Sequence, residues 1–215
     1  MARLIAVMGE SGSGKTTAMR TLDPAKTVYI DVDGKGLAWK GWREQYSPAK
    51  RNYLVKRNIP EIANCLNIVS ESTKFTNIKV VVVDTLNTAM VDKEVKGMKE
   101  KGYDKWVDLA QYIWDLIELA GKLRDDLTVI FTFHSETVRD DFGYSFTHIK
   151  TNGRKLEKLV LESLFTVVLL AKRTDNGQYV FETQSKASTA KSPMGALPET
   201  MDNDMGQVLK AMEDY

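Results

Sequence analysis

The sequence predicts an α/β fold: a mainly parallel central sheet flanked by helices, with an antiparallel hairpin at one edge. Three observations carry the prediction. Residues 4–8 form a continuous apolar run and residues 78–83 one broken only by Lys79, the pattern of parallel strands buried on both faces. Segments with helical periodicity alternate with the strand-like ones. Thr174-Asp175-Asn176-Gly177, set between two β-rich runs, is a strong hairpin turn signal.

Taken in order, residues 4–8 form the first strand. They lead into Gly9-Glu10-Ser11-Gly12-Ser13-Gly14-Lys15-Thr16, which fits the pattern G-x-x-x-x-G-K-[ST]. Glycines let successive N–H groups turn toward one phosphate chain. Lys15 offers an ammonium for the β- and γ-phosphates, and the Thr16 hydroxyl a ligand for Mg²⁺. A helix starting near Gly14 and continuing from Thr17 to residue 22 aims its positive end at the anion. The whole stretch from Gly9 to Thr17 is therefore a nucleotide-binding candidate, with ATP as ligand.

The second strand, 27–31, is rich in β-formers and runs into an Asp33-Gly34 turn. Residues 35–58 carry Lys35, Lys40, Arg43, Lys50, Arg51, Lys56 and Arg57 against the single acid Glu44, with Trp39, Trp42, Tyr46 and Tyr53 interleaved. That mixture suits a nucleic-acid surface or, equally, a solvated surface whose aromatics pack locally. Residues 60–70 read as a helix with Pro60 in its first turn and Ile62, Leu66 and Val69 on one face. The strand 78–83 ends in Asp84-Thr85. Residues 86–103 are charged and helical in part. Residues 104–123 form an amphipathic helix, with Trp106, Leu109, Ile113, Leu116, Ile117 and Ala120 at helical spacing. The fourth strand, 127–133, is followed by His134-Ser135-Glu136. Residues 137–153 read as a long loop, 156–161 as a short helix, 165–171 and 179–183 as the hairpin, 184–202 as a connection and 203–212 as a final helix. This divides the chain into a core, 1–184, and a C-terminal connection and helix, 185–215.

Composition sets bounds. The chain of 215 residues suits one domain, and its 30 basic against 29 acidic residues leave a net charge of +1, so any basic patch is local. Cys65, the single cysteine, forms no internal disulfide and fits a reducing compartment. No apolar run reaches the ~18 residues of a membrane span. The expectation is a soluble, cytoplasmic protein with no membrane partner.

Asp84, at the end of a buried strand about 70 residues beyond a phosphate loop, is placed to support Mg²⁺ through water. A hydrolytic enzyme also needs a group that activates water. Asp31, Asp33, His134 and Glu136 stand at the relevant strand ends; Asp33 is the first choice as base and His134 as γ-phosphate sensor.

Here the chain resembles the RecA-type ATPase core. That family places a catalytic Glu in an Ile-Asp-x-Glu run; Ile30-Asp31-Val32-Asp33 puts a shorter acid there. Its sensor Gln is matched by His134, and its second DNA-binding loop by Thr151-Asn152-Gly153-Arg154-Lys155-Leu156, without the paired glycines. Within that group the chain is similar to small bacteriophage nucleotide-binding proteins of the Sak type, including the closing segment Ala190-Lys191-Ser192-Pro193-Met194-Gly195. The resemblance implies a Mg²⁺-dependent ATPase that binds single-stranded DNA and assists recombination, annealing or replication. It also implies a homo-oligomer, ring or filament, and a phage single-strand DNA-binding protein as a further partner. The implied DNA contacts are Arg139, Phe142, Tyr144, Lys150, Arg154 and Lys155. Two other readings compete. A small-molecule kinase would need an arginine-rich lid, and Arg139 and Arg154 are the only arginines between residues 125 and 170. A nucleotide-gated binding module with little turnover is compatible with the short Asp33.

Overall fold

The computed structural model describes residues 1–97, 104–151 and 160–213, with only the backbone for residues 97 and 104–110. Nine strands are assigned among them: β1 (Arg3–Gly9), β2 (Thr27–Asp31), β3 (Tyr53–Val55), β4 (Val80–Asp84), β5 (Thr128–Arg139), β6 (Ser145–Ile149), β7 (Val167–Arg173), β8 (Tyr179–Glu182) and β9 (Thr200–Asp202). They are ordered β3-β2-β4-β5-β1-β7-β8-β9, with β6 paired to β5 off that path. Pairing from β3 across to β7 is parallel, and β7-β8-β9 is antiparallel, as the sequence predicts.

The continuous apolar runs are explained by burial on both faces. In β1, Leu4, Ala6 and Met8 join one core, while Ile5 and Val7 join the other. In β4, Val81 and Val83 take the first face and Val80 and Val82 the second. The first face is covered by α2 (Ile59–Glu71), α3 (Leu86–Gly97) and α4 (Asp104–Gly121). Helix α2 buries Ile59, Ile62, Leu66 and Val69, and α4 buries Ile113, Leu116, Ile117 and Ala120. Each fully buried aliphatic side chain contributes about 1.5–3 kcal/mol, which outweighs the modest helix propensity of the β-branched residues. The side chains of Trp106 and Leu109 lie outside the described residues.

The second face is covered by the segment after β1, by residues 37–53 and by α5 (Met205–Ala211). Tyr46 is fully buried and Tyr53 nearly so, while Trp39 and Trp42 pack half-buried against the same core. Tyr29, Trp39 and Tyr46 meet edge to face at 5.7–6.4 Å. The aromatics of this basic segment are therefore packed within the protein.

Four elements depart from the sequence reading. The helix after the phosphate loop is a single turn of 3-10 helix, Thr17–Thr21. Leu22 turns extended just before Asp23-Pro24, and proline disfavours helix in the residue ahead of it. Residues 137–153 are not one long loop: β5 runs on to Arg139 and returns as β6. The polar composition hid this hairpin, yet its Thr, Val, Tyr and Phe residues favour strands, and Thr137 and Thr147 hydrogen-bond across it at 2.8 Å. Residues 184–202 contain β9, and 35–58 contain the short helix α1 (Trp42–Gln45) and the edge strand β3. Of the expected helix at 156–161, residues 156–159 lie outside the described residues; a 3-10 turn covers Leu161–Leu164. No helix of the described residues is long and apolar enough to cross a membrane.

Candidate active site at the carboxyl end of the sheet

The loop after β1 sits where β1 and β4 end and β5 leaves the central sheet. A close approach fixes Gly9: a Cβ there would stand 2.4 Å from the Ser13 hydroxyl oxygen and 2.5 Å from the Ala171 carbonyl. Gly14 has φ +94° and lies against Asn203 and Tyr179, so a side chain would be strained and crowded alike. Glu10, Ser11 and Gly12 form the exposed rim of the loop, while Ser13 is buried beneath it. Thr17 begins the 3-10 turn.

Lys15 is 7% exposed. Its ammonium donates to the Gly9 and Glu10 carbonyls, each at 2.7 Å, so it lies folded over the concavity of its own loop. Burial pushes its pKa down to about 8, against the pull of Asp84, Asp33 and Glu10. A bound polyphosphate would supply the negative charge this buried ammonium lacks.

The Thr16 hydroxyl donates to Asp84 Oδ2 at 2.8 Å, across 68 residues of sequence. Asp84 is 5% exposed and also accepts from Tyr29 at 2.5 Å, Thr85 at 2.9 Å and the Thr132 hydroxyl. Burial, then the neighbouring Asp84, raises the Tyr29 phenol well above its ordinary value, so it stays a donor. Four hydroxyls thus fix one buried carboxylate. No group of three or more His, Cys, Asp or Glu side chains suited to a metal exists among the described residues. The fit is instead to Mg²⁺, which retains waters and takes few protein ligands beside substrate phosphates. Thr16 and Asp84 would hold it.

Asp33 hangs from a turn that Asp31 builds. The buried Asp31 carboxylate accepts from the Gly34 and Gly36 N–H groups, each at 2.8 Å, and from Tyr53 at 2.6 Å. Asp31 is therefore the scaffold and Asp33 the presented acid. Asp33 accepts from Thr88 and, at 2.9 Å, from Lys35. Burial pushes its carboxyl up, but the bonds from Thr88 and Lys35 outweigh this and hold it below the ordinary value. It is ionised at neutral pH.

His134, opposite Gly9, is the last residue of β5 paired with β1. Burial, then the nearby Lys15 charge, lowers its pKa against the pull of Asp33, so the imidazole is neutral at pH 7. Its backbone N–H donates at 2.8 Å to Asn87 Oδ1, in the first turn of α3. Beside the phosphate loop opens a cavity of about 500 Å³, lined by Glu10, Ser11, Asn87, Thr88, His134 and Lys150 among others.

Lys15, Thr16, Asp33, Asp84 and His134 thus converge from four places in the sequence. The expected DNA contacts do not share this place. Arg139, Phe142 and Tyr144 lie out along the arm formed by β5 and β6, whereas Lys150 stands at its root. Arg154 and Lys155 lie outside the described residues. Glu136 is on the arm, 3.8 Å from His148. Sequence reasoning passed over Tyr29, Thr88, Asn87 and Thr132. The one legible signal was Thr132, a polar residue inside an otherwise apolar strand.

The arrangement can bind a triphosphate with a divalent cation and hold a water beside an ionised carboxylate. No characterised protein shows a significant match to this chain. A family model described as an AAA domain matches residues 1–194. With nearly the whole chain matched, and with the phosphate loop, the strand-end aspartate and the parallel sheet in the places described, the protein belongs to this AAA-domain family of P-loop ATPases.

Proposed function

We propose that the protein is a Mg²⁺-dependent ATPase that binds single-stranded DNA through the arm and assists phage DNA recombination, annealing or replication. The observation that carries the ATPase half is the Thr16–Asp84 hydrogen bond beside Lys15, with Asp33 facing the same space. Lys15 and the loop N–H groups bind the β- and γ-phosphates. Mg²⁺, held by Thr16 and Asp84, would neutralise charge on the phosphate oxygens. Asp33, released from one of its two partners, accepts a hydrogen bond from the attacking water and orients it. His134, neutral, reports the terminal phosphate.

The DNA half rests on the arm's surface and on the resemblance to Sak-type proteins. Val138 and Phe146 pair across the arm, and Tyr144 lies two residues from Phe146 on the same face. Phe142 is 88% and Tyr144 76% exposed, unusual for rings with no role in packing. Arg139 supplies a cation nearby; Asp140 is occupied capping the turn through the Phe142 and Tyr144 N–H groups. Bases stacked on these rings would be bound without sequence preference. Function as a homo-oligomer, ring or filament, beside a phage single-strand DNA-binding protein, belongs to the same proposal.

The reading of a nucleotide-gated module with little turnover draws on one observation: Asp33 is held at both oxygens, by Thr88 and Lys35. Steady-state ATP turnover, with and without Mg²⁺ and single-stranded DNA, separates the two. Mg²⁺-dependent turnover stimulated by DNA is expected. Tight ATP binding with no turnover under either condition would leave the binding module.

A further inference from the structure

Lys150 is the first residue beyond β6, where the arm meets the body. Its backbone is fixed twice: its N–H donates to the His134 carbonyl at 2.8 Å, and its carbonyl accepts from Asn87 Nδ2 at 2.7 Å. Asn87, 4% exposed, thus ties both strands of the arm's root to the first turn of α3. The next residue in that turn, Thr88, holds Asp33. Lys150 is exposed, and it stands at the arm's root rather than out along it with Phe142 and Tyr144. It lines the cavity beside the phosphate loop, with Glu10, Ser11, Asn87, Thr88 and His134. Its charge is felt at the His134 imidazole together with those of Lys15 and Lys35. The Lys150 ammonium itself has no hydrogen-bond or ion-pair partner among the described residues. Three cations therefore act on one neutral imidazole, and only Lys15 belongs to the phosphate loop.

We infer that Lys150 is a second phosphate-binding cation, which engages the terminal phosphate of a bound nucleoside triphosphate from the root of the arm. The inference rests on the ATPase reading above. Lys15 serves any nucleotide with a β-phosphate, whereas Lys150 serves only one whose terminal phosphate enters the cavity past His134. Because its backbone is part of the arm, filling that cavity draws on the same clamp that sets the arm's root. Lys150 then distinguishes triphosphate from diphosphate.

The test is calorimetric binding of ADP and of the non-hydrolysable adenosine 5′-(β,γ-imido)triphosphate, with Mg²⁺, to the full chain and to Lys150→Gln, Lys150→Arg and Lys15→Ala. Lys150→Gln should weaken the triphosphate analogue by about tenfold or more, as loss of a charge-assisted hydrogen bond does, while ADP affinity moves less than about twofold. Retained ADP binding also shows that the variant is folded. Lys150→Arg should keep most of the preference, and Lys15→Ala should lose both ligands. An unchanged ratio of triphosphate to ADP affinity in Lys150→Gln overturns the inference and leaves the ATPase reading standing. Failure of the parent chain to bind either nucleotide overturns both. A second measurement is the salt dependence of single-stranded DNA binding. The slope should be the same in Lys150→Gln as in the parent; a slope smaller by about 0.7, with triphosphate affinity intact, would make Lys150 a DNA contact instead.

Discussion

Lys15 is the residue on which the site's pH behaviour turns. In the free protein its ammonium loses its proton near pH 8. A bound triphosphate restores the charge and raises that value. Affinity for ATP is then fully present below pH ~8 and declines as pH rises through it, with proton uptake on binding rising from near none below that pH toward one above it. Calorimetry in buffers of different ionisation enthalpy reads this uptake directly; affinity flat from pH 7 to 9 would show that Lys15 stays charged. Asp33 has the opposite setting, being ionised throughout that range. Asp33→Asn should keep ATP binding and lower kcat by roughly 10²–10⁴-fold, the usual contribution of a positioned base. Loss of binding at unchanged kcat would mark Asp33 as structural, the role that Asp31 already fills through three hydrogen bonds.

At the scale of elements, the arm separates what β-propensity decides from what composition suggests. Its aromatic face is exposed, so Phe142→Ala with Tyr144→Ala should leave thermal stability unchanged. The same pair should weaken single-stranded DNA binding by about 1–3 kcal/mol per ring lost. An unaltered titration would move the DNA site elsewhere. The sheet and the phosphate site were legible in sequence because each is written locally. Residues 80–83 are apolar without interruption since both faces are buried, and Gly9 to Thr16 carry loop, cation and hydroxyl within eight positions. The arm was hidden because its strands are polar and are paired by contacts that periodicity does not show. Asn87 and Thr88 were hidden for another reason. They act on His134, Lys150 and Asp33, which are 47–63 residues away along the chain and reach them only through the fold.

For the whole molecule, the division at residue 184 is the feature most open to experiment. Ala190, Leu197, Met205, Val208 and Met212 are buried, and four of the five share a core with β1 and β7. Asn203 lies against Gly14 of the phosphate loop. A chain ending at Gln184 should lose its cooperative thermal transition and bind a hydrophobic dye. Cooperative melting within a few degrees of the full chain would make 1–184 an independent unit. A last consequence comes from β5, which leaves the central sheet at His134 and continues without a break to Arg139. Five residues at about 3.3 Å each carry the arm's end roughly 16 Å beyond the edge of the site at His134. The Debye length in physiological salt is about 8 Å, so the solvent mutes charge over that gap. Whatever passes between a nucleotide and the arm's tip has to travel as displacement along one stiff strand, and it should survive added salt that would dissolve the proposed grip on DNA.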